Sequence, residues 1–330
     1  MTVHDDTPAR GRIGVMLPRD LPVQDVLPFA RRAEELGFDQ LWVVEDLGFR
    51  GGLAQAGPVL ASTESITVGI GIMPAGARNV CFAAMELATL AQLYPGRLIA
   101  GIGHGMPAWM RQAGAWPASP LTLIREYTDA LRRLVRGEPG PPGGRYVNGE
   151  GVVITEVPDI VPPIVLGVRG PKSQAVARDV ADGLLLAEPA APAYIAASLH
   201  HMDTAPHTSG LEIVTYDAAA VDDDADTALA LVRAGLTAVG EPAWAAHLDP
   251  LPFAAALREH RAACSGPQEF AETMPPAWVR ELSIAGTPGQ AREAISARHA
   301  AGATSVVLTP VGPDAPAALD SLARVLDTRT

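Results

Sequence analysis

Short apolar runs alternate along the chain with longer segments in which apolar residues recur at helical spacing. Val26, Phe29 and Ala33 lie three and four positions apart, which is typical of one face of an amphipathic helix. Gly37 follows this segment, and glycine is a common residue at the end of a helix. Eight apolar runs predict strands: Ile13–Leu17, Gln40–Val44, Ile66–Met73, Arg97–Ile102, Pro163–Val168, Gly183–Ala187, Leu211–Asp217 and Ser305–Thr309.

The order strand, helix, strand repeats along the chain and predicts parallel strands joined by right-handed crossovers. Eight such units close into a TIM (β/α)8 barrel, which is the α/β fold that we expect. The alternative is an open doubly wound sheet. The dinucleotide-binding form of that sheet carries a glycine fingerprint in its first turn, whereas the first turn here, MLPRDLPVQDV, has none.

Two segments exceed a simple barrel unit. Residues 222–281 are too long for one helix, and we interpret them as several helices inserted before the last strand. The segment Arg145–Thr155 alternates in polarity and predicts a small hairpin outside the barrel. No linker separates two parts of the chain, so we expect a single domain over residues 1–330.

Composition narrows the classes of function. The chain has 330 residues and a formal net charge of −12, which argues against a nucleic-acid partner, because such a surface needs clustered Lys and Arg. Cys81 and Cys264 are far apart and form no CxxC pair, so we expect neither a disulfide framework nor a metal site. No apolar run reaches the ~20 residues of a membrane span, and the N-terminus lacks a signal-peptide pattern. We therefore expect a cytoplasmic protein without a membrane partner.

In a (β/α)8 barrel the reactive groups come from the carboxyl ends of the strands. The motif GVRGPKS at 167–173 follows the fifth predicted strand and places Arg169 and Lys172 where a helix begins. Backbone amides at such a turn, together with the positive end of the helix dipole, bind phosphate. The alternative is an ordinary turn with a solvated pair of charges.

Glycine-rich sequence ends the third and fourth predicted strands. The motif GIGHG at 101–105 either lets a flat ligand approach the backbone or forms a tight turn chosen for its geometry. The motif GIGIMP at 69–74 indicates a bulge or the close approach of another group. His104 is a candidate for proton transfer, although a histidine at a loop tip is more often polar filling.

Two acidic residues, Glu45 and Asp46, follow the second predicted strand. Either side chain could act as a general acid or base. Acidic residues after a strand are also frequent caps of the next helix, so the sequence leaves both interpretations open.

Five motifs, taken in order, resemble the bacterial luciferase-like superfamily over nearly the whole chain. They are FARRAEELGFDQLWVVED, ITVGIGIMPAGARN, LAQLYPGRLIAGIGHG, PIVLGVRGPKSQAVARDVADGLLL and IAGTPGQAREAISARHAAGATSVVL. Within that superfamily the chain is most similar to the branch that uses the deazaflavin coenzyme F420, to which methylenetetrahydromethanopterin reductase and F420-dependent glucose-6-phosphate dehydrogenase belong. The resemblance implies an F420-dependent oxidoreductase, and it implies a homodimer because family members are commonly dimers.

The resemblance also implies where the coenzyme is held. Members carry a non-proline cis peptide bond behind the ring system at the end of the third strand, and the matching bond is Gly71–Ile72. Asn79 matches a polar position near the pyrimidine edge of the ring, and the phosphate site matches the turns after the fifth and sixth strands. The expected coenzyme-binding residues are Gly71, Ile72, Asn79, Gly103, Gly167, Val168, Arg169, Gly170, Pro171, Ala187 and Glu188.

Three positions depart from the family pattern. Leu47 stands where many members have a histidine, Met106 stands where some have an acid, and AEPAAP replaces small polar residues after the sixth strand. Asp46 matches the family acid, and with Glu45 and His104 it completes the candidates for proton transfer. Apolar side chains of the expected pocket suit a hydrophobic small-molecule substrate; they are Met16, Met73, Met106 and Trp109.

The sequence leaves four functions open. The first is an F420-dependent oxidoreductase that transfers a hydride to or from a C=C, C=N or C=O group. The second keeps the fold but uses reduced FMN and oxygen as a monooxygenase. The third is a phosphate-binding lyase or isomerase without redox chemistry, for which no lysine ends a predicted strand. The fourth is a barrel that binds a cofactor without turnover.

Overall fold

The computed structural model describes residues 11–326 of the chain. Within that range the strands are β1 Arg12–Met16, β2 Gln40–Val43, β3 Thr67–Pro74, β4 Leu98–Gly103, β5 Ile164–Gly167, β6 Gly183–Leu186, β7 Glu212–Val221, β8 Ile284–Gly286 and β9 Ser305–Pro310. All pairings are parallel; β1 to β7 pair in chain order, and β9 joins β7 to β1. These eight strands close a barrel, so the predicted fold is confirmed.

Helices surround the barrel. They are α1 Val26–Leu36, α2 Gly52–Ser62, α3 Val80–Leu93, α4 Pro107–Gln112, α5 Pro120–Val135, α6 Pro171–Val180, α7 Pro192–His201, α8 Ala225–Arg233, α9 Ala245–Leu248, α10 Ala254–Ala263, α11 Pro267–Thr273, α12 Pro276–Glu281, α13 Pro288–Ala300 and α14 Ala315–Leu322. Helices α8 to α12 fill the stretch between β7 and β8. Among residues 11–326, no helix combines the length and the apolar character that a membrane crossing requires.

The helix α1 shows how the apolar pattern builds the outer layer. Val26, Phe29 and Ala33 are buried on its inner face, as their spacing predicts. Gly37 ends the helix with a φ of 92°, in the left-handed region that glycine adopts without a steric penalty. A second, smaller core fills the inside of the barrel with Met16, Trp42, Ile99, Val165, Leu185, Val214, Tyr216 and Val307.

Two sequence-based predictions of local structure are wrong. The segment Arg145–Thr155 forms no hairpin, because its backbone N–H groups at 145–147 donate to the carboxylate of Glu126 on α5 rather than to a second strand. The seventh strand runs beyond Asp217 to Val221, where it pairs with the short strand β8 that the sequence pattern did not predict. The extension is rich in alanine, which has a low strand propensity, so pairing rather than composition decides it.

Candidate active site

The strand β3 ends in a bulge at the carboxyl end of the barrel. Its register against β4 shifts between Ile70 and Met73, and the peptide bond between Gly71 and Ile72 is cis. The cis bond that the family resemblance implies at this position is therefore confirmed. The shift leaves Ile72 in the barrel interior, whereas Met73 is 1% exposed in the layer between the sheet and the helices. Met73 therefore does not line the barrel mouth, contrary to the expected substrate pocket.

The side chain of Ile72 lies in a seat made of three glycines on neighbouring strands. A Cβ at Gly167 would collide with Ile72 Cγ2. One at Gly103 would be 2.9 Å from Ile72 Cδ1 and 2.7 Å from the backbone oxygen of Gly167, and one at Gly101 would be 3.1 Å from Ile72 Cγ2 and would collide with the backbone oxygen of Ile70. Gly101 and Gly103 of GIGHG therefore make room for Ile72 and for neighbouring backbone, so on this face the space beside them is taken by the protein itself.

Tyr216 of β7 lies beneath the bulge, inside the barrel. A side chain at residue 71 would collide with its hydroxyl group, so Gly71 is required by this close approach. The ring meets Trp42 edge to face at 5.6 Å between centroids. The hydroxyl is buried and has no hydrogen-bond partner within residues 11–326. The sequence analysis did not single out Tyr216, which belongs to an unremarkable apolar run.

The two acids after β2 are engaged with arginines. Both carboxylate oxygens of Glu45 accept from Arg78, at 2.9 and 3.1 Å, and one also accepts the backbone N–H of Gly52 at the start of α2. Asp46 pairs with Arg19 at 2.7 Å in a partly exposed position. Glu45 therefore joins two loops and caps a helix, which is the alternative that the sequence left open.

The remaining predicted side chains of the β3 and β4 loops lie apart from one another. His104 is half-buried, its Nε2 is 3.1 Å from the hydroxyl oxygen of Ser173, and burial lowers its pKa, which favours the neutral ring. The side chain of Asn79 accepts the N–H of Cys81 and caps α3. Met106 precedes α4 and Trp109 lies on it, both half-buried.

The turn after β5 presents an arginine at the beginning of α6. Gly170 is the N-cap of α6, and a Cβ built on it would meet no atom within 4 Å, so the helix N-terminus opens onto free space. Arg169 is half-buried, and within residues 11–326 no carboxylate oxygen lies within 4 Å of its guanidinium group. Burial lowers the pKa of Arg169, while nearby Glu188 and Tyr194 raise it. An anion would supply the missing counter-charge.

The inserted helices cover the turns after β5 and β6. The ring of Trp244 lies 4.7 Å from the guanidinium carbon of Arg169, and its Nε1 donates to the backbone oxygen of Glu188 at 3.2 Å. His247, on α9, is buried and donates from Nδ1 to the backbone oxygen of Pro189 at 3.1 Å. Burial, with the charge of Arg169, lowers the pKa of His247 to about 4. The sequence pattern gives no signal for either residue, because both lie far from any barrel strand in the chain.

Glu188 lies at the carboxyl end of β6, where charges from several strands meet. Burial raises the pKa of its carboxyl group, and the negative charges of Asp217 and Asp46 add to this, while Arg169 lowers the pKa. Ala187 precedes it and is half-buried. Glu188 follows β6 and therefore lies at the carboxyl end of the barrel, where the charges of Asp46, Arg169 and Asp217 act on its carboxyl group.

A cavity of about 460 Å³ lies beside the bulge at the same end of the barrel. It is within the usual size range of small-molecule sites. Residues 75–80 form one wall, and Trp116, Tyr127 and Tyr146 contribute aromatic surface. Elsewhere, residues 11–326 contain no group of three or more His, Cys, Asp or Glu side chains that could hold a metal ion.

Comparison with known proteins agrees with this architecture. The sequence profile of the family described as luciferase-like monooxygenase matches residues 6–305. A 5,10-methylenetetrahydromethanopterin reductase of Methanolobus tindarius is 26% identical over 311 residues, which cover 90% of this chain and 94% of the relative.

Two solved structures are similar throughout. The coenzyme F420 dependent tetrahydromethanopterin reductase from Methanopyrus kandleri superposes with a TM-score of 0.81 at 21% identity, covering 96% of this chain and 99% of that chain. An F420-dependent secondary alcohol dehydrogenase in complex with an F420-acetone adduct superposes with a TM-score of 0.75 at 22% identity, with the same coverage.

Proposed function

Because the chain belongs to the luciferase-like monooxygenase family, we propose that it is an oxidoreductase that uses coenzyme F420 and acts on a small organic substrate. The coenzyme, when bound, supplies or accepts a hydride, and the reacting group of the substrate is a C=C, C=N or C=O bond or its reduced form. The observation that carries the proposal is the combination at one end of the barrel of the bulge at Gly71–Ile72 and the uncompensated Arg169.

The residues present fit the two ends of such a coenzyme. Arg169 offers a positive charge to a phosphate, and the open N-terminus of α6 offers the positive end of its helix dipole. The backbone at Gly71 and Ile72 offers a firm surface to a planar ring, because the Ile72 side chain is packed against three glycines and cannot recede. A ring held against this surface would have a fixed orientation, and a fixed orientation lowers the barrier of a transfer step.

Asp46 and His104 are the proton-transfer candidates that the sequence indicates, and each already has a partner. Asp46 is paired with Arg19, and His104 lies beside Ser173, where burial lowers its pKa. In the proposed reaction we assign them to the walls of the site. Glu45 we assign to the support of the loop after β2, because both of its oxygens bind Arg78.

The second candidate function is an FMN-dependent monooxygenase, which the description of the family favours. Such an enzyme would keep this fold and could present Arg169 to the phosphate of FMN. The two functions differ in the reaction with oxygen, which is rapid for a reduced flavin and slow for the reduced deazaflavin.

A side-by-side titration tests the choice. We expect the purified protein to bind F420 at least tenfold more tightly than FMN, measured by the fluorescence change of each cofactor, and inorganic phosphate to compete with F420. A screen of ketones, imines and activated alkenes then follows the absorbance of the reduced coenzyme. Tighter binding of FMN, with oxygen consumption after reduction, would replace the first proposal with the second.

A further inference from the structure

The loop after β6 is fixed from both sides. Trp244 donates to the backbone oxygen of Glu188, and His247 donates to that of Pro189. On the other side, the N–H of Ala190 donates to Asp217 at 3.2 Å. Three hydrogen bonds therefore hold the backbone of residues 188–190 in place, which limits the positions that the Glu188 side chain can reach.

The carboxyl group of Glu188 differs from the other acids at this end of the barrel. Asp46 is paired with Arg19, Glu45 with Arg78, and Asp217 with Arg298. Glu188 accepts no hydrogen bond from another side chain in the described part of the protein, and no ion pair involves it there. A half-buried acid without an assigned partner, on a rigid loop, is suited to contact a ligand.

The titratable groups that face Glu188 come from four elements. They are Arg169 after β5, Tyr216 and Asp217 on β7, Asp46 after β2, and His247 on α9, which contacts the same loop. Burial has the largest effect and, with the two aspartates, raises the pKa of Glu188 against the opposing charge of Arg169. The group therefore keeps its proton at a higher pH than an exposed glutamate.

We propose that Glu188 is the catalytic acid and base of this site. The reduced coenzyme, if bound here, would supply the hydride to the carbon of the C=O, C=N or C=C bond. The electron pair of that double bond would take the proton of the Glu188 carboxyl group, and the resulting carboxylate would be reprotonated from water. In the oxidising direction the carboxylate accepts the same proton. This inference rests on the proposed function, because it needs a hydride donor in the site.

Three variants test the role. Glu188→Gln keeps the shape and removes the acid, Glu188→Asp keeps the acid, and Asp46→Asn removes the competing candidate. We expect Glu188→Gln to lower kcat about 10²–10⁴-fold for the best substrate of the screen, and to remove the alkaline fall of the rate in the reducing direction. Glu188→Asp should restore part of the rate, and Asp46→Asn should cost less than tenfold.

A measurement without turnover accompanies these rates. In infrared difference spectra of the wild-type protein during a pH titration, we expect the C=O stretch of a protonated carboxyl to disappear above the usual range of glutamate, and Glu188→Gln to lack this signal. Persistence of the signal in Glu188→Gln, or a larger loss of rate in Asp46→Asn, would overturn the inference. Absence of F420 binding by the wild-type protein would instead refute the proposed function, and the infrared result would remain interpretable.

The stability of Glu188→Gln separates chemistry from folding. Burial raises the folded-state pKa of Glu188, so the acid destabilises the folded protein increasingly as the pH rises through that pKa. The Tm of the variant at neutral pH should therefore equal or exceed that of the wild type. A loss of rate with an undiminished Tm then reflects the lost acid and not a destabilised fold.

Discussion

Arg298 and Arg169 are both withdrawn from water, and their surroundings are opposite. Arg298, on α13, is 1% exposed, and its Nε and Nη2 each donate to a carboxylate oxygen of Asp217 at 2.9 Å. Its remaining donors reach backbone oxygens, including that of Ala294. Arg169 has a tryptophan ring on one face and no carboxylate within 4 Å among residues 11–326.

The contrast separates a residue that holds the fold from one that is available to a ligand. Arg298 donates to the carboxylate of Asp217 on β7 and to backbone oxygens. The ion pair also positions the carboxylate of Asp217, which accepts the N–H of Ala190. Burial lowers the pKa of the Arg169 guanidinium, and no ion pair within residues 11–326 offsets this cost of desolvation. Loss of Arg298 should therefore affect mainly stability, and loss of Arg169 mainly binding.

The largest effect is expected for Arg298→Met. The substitution leaves the buried carboxylate of Asp217 without its partner, which typically costs about 3–5 kcal/mol of stability. Urea denaturation should show this loss as a lower midpoint with an unchanged slope. The double variant Arg298→Met with Asp217→Leu is the control, since removal of both charges should recover much of the loss. If Arg298→Met is as stable as the wild type, Arg298 does not hold the fold and the contrast with Arg169 is wrong.

Arg169→Met should weaken F420 binding by about 2–3 kcal/mol, roughly 100-fold in Kd, because the charged hydrogen bonds to phosphate are lost. Its free energy of unfolding should change by less than about 1 kcal/mol, since no ion pair is broken. Lys172→Met, an exposed neighbour on α6, is the matched control and should change Kd less than threefold. Equal effects of the two substitutions would contradict the role of Arg169.

The smallest effect is expected for Trp244→Leu. The cation–π contact with Arg169 and the hydrogen bond to Glu188 are lost, and the contact alone is worth about 0.5–1 kcal/mol. F420 binding should weaken severalfold, because the guanidinium is no longer held in one orientation. Trp244→Phe keeps an aromatic ring, so its Kd for F420 in the same titration should lie between those of the wild type and Trp244→Leu. An unchanged Kd in Trp244→Leu would show that the inserted segment does not contribute to coenzyme binding.

The barrel and part of the site can be predicted from the sequence because their signals are local. Alternating runs give the strands, and the turn GVRGPKS gives the place of Arg169 at a helix start. The cis bond at Gly71–Ile72 was reached through the family resemblance alone. Each of these features depends on residues that are close together in the chain.

What sequence reasoning missed depends on contacts between distant segments. Trp244 meets Arg169 across 75 positions, and Arg298 meets Asp217 across 81. Met73 was expected at the pocket, and the register shift of the bulge turned it into the outer core. Arg78, which binds Glu45, likewise comes from the loop after the next strand, 33 positions away. Periodicity along one segment carries no information on such pairs.

The packing of Ile72 against Gly103 and Gly167 links the three strands β3, β4 and β5. In related chains, the residues at positions 72 and 167 should change together, because a bulkier group at 167 needs a smaller group at 72. Such joint variation would let the bulge be recognised in an uncharacterised barrel from its third and fifth strands, before any coordinates are known.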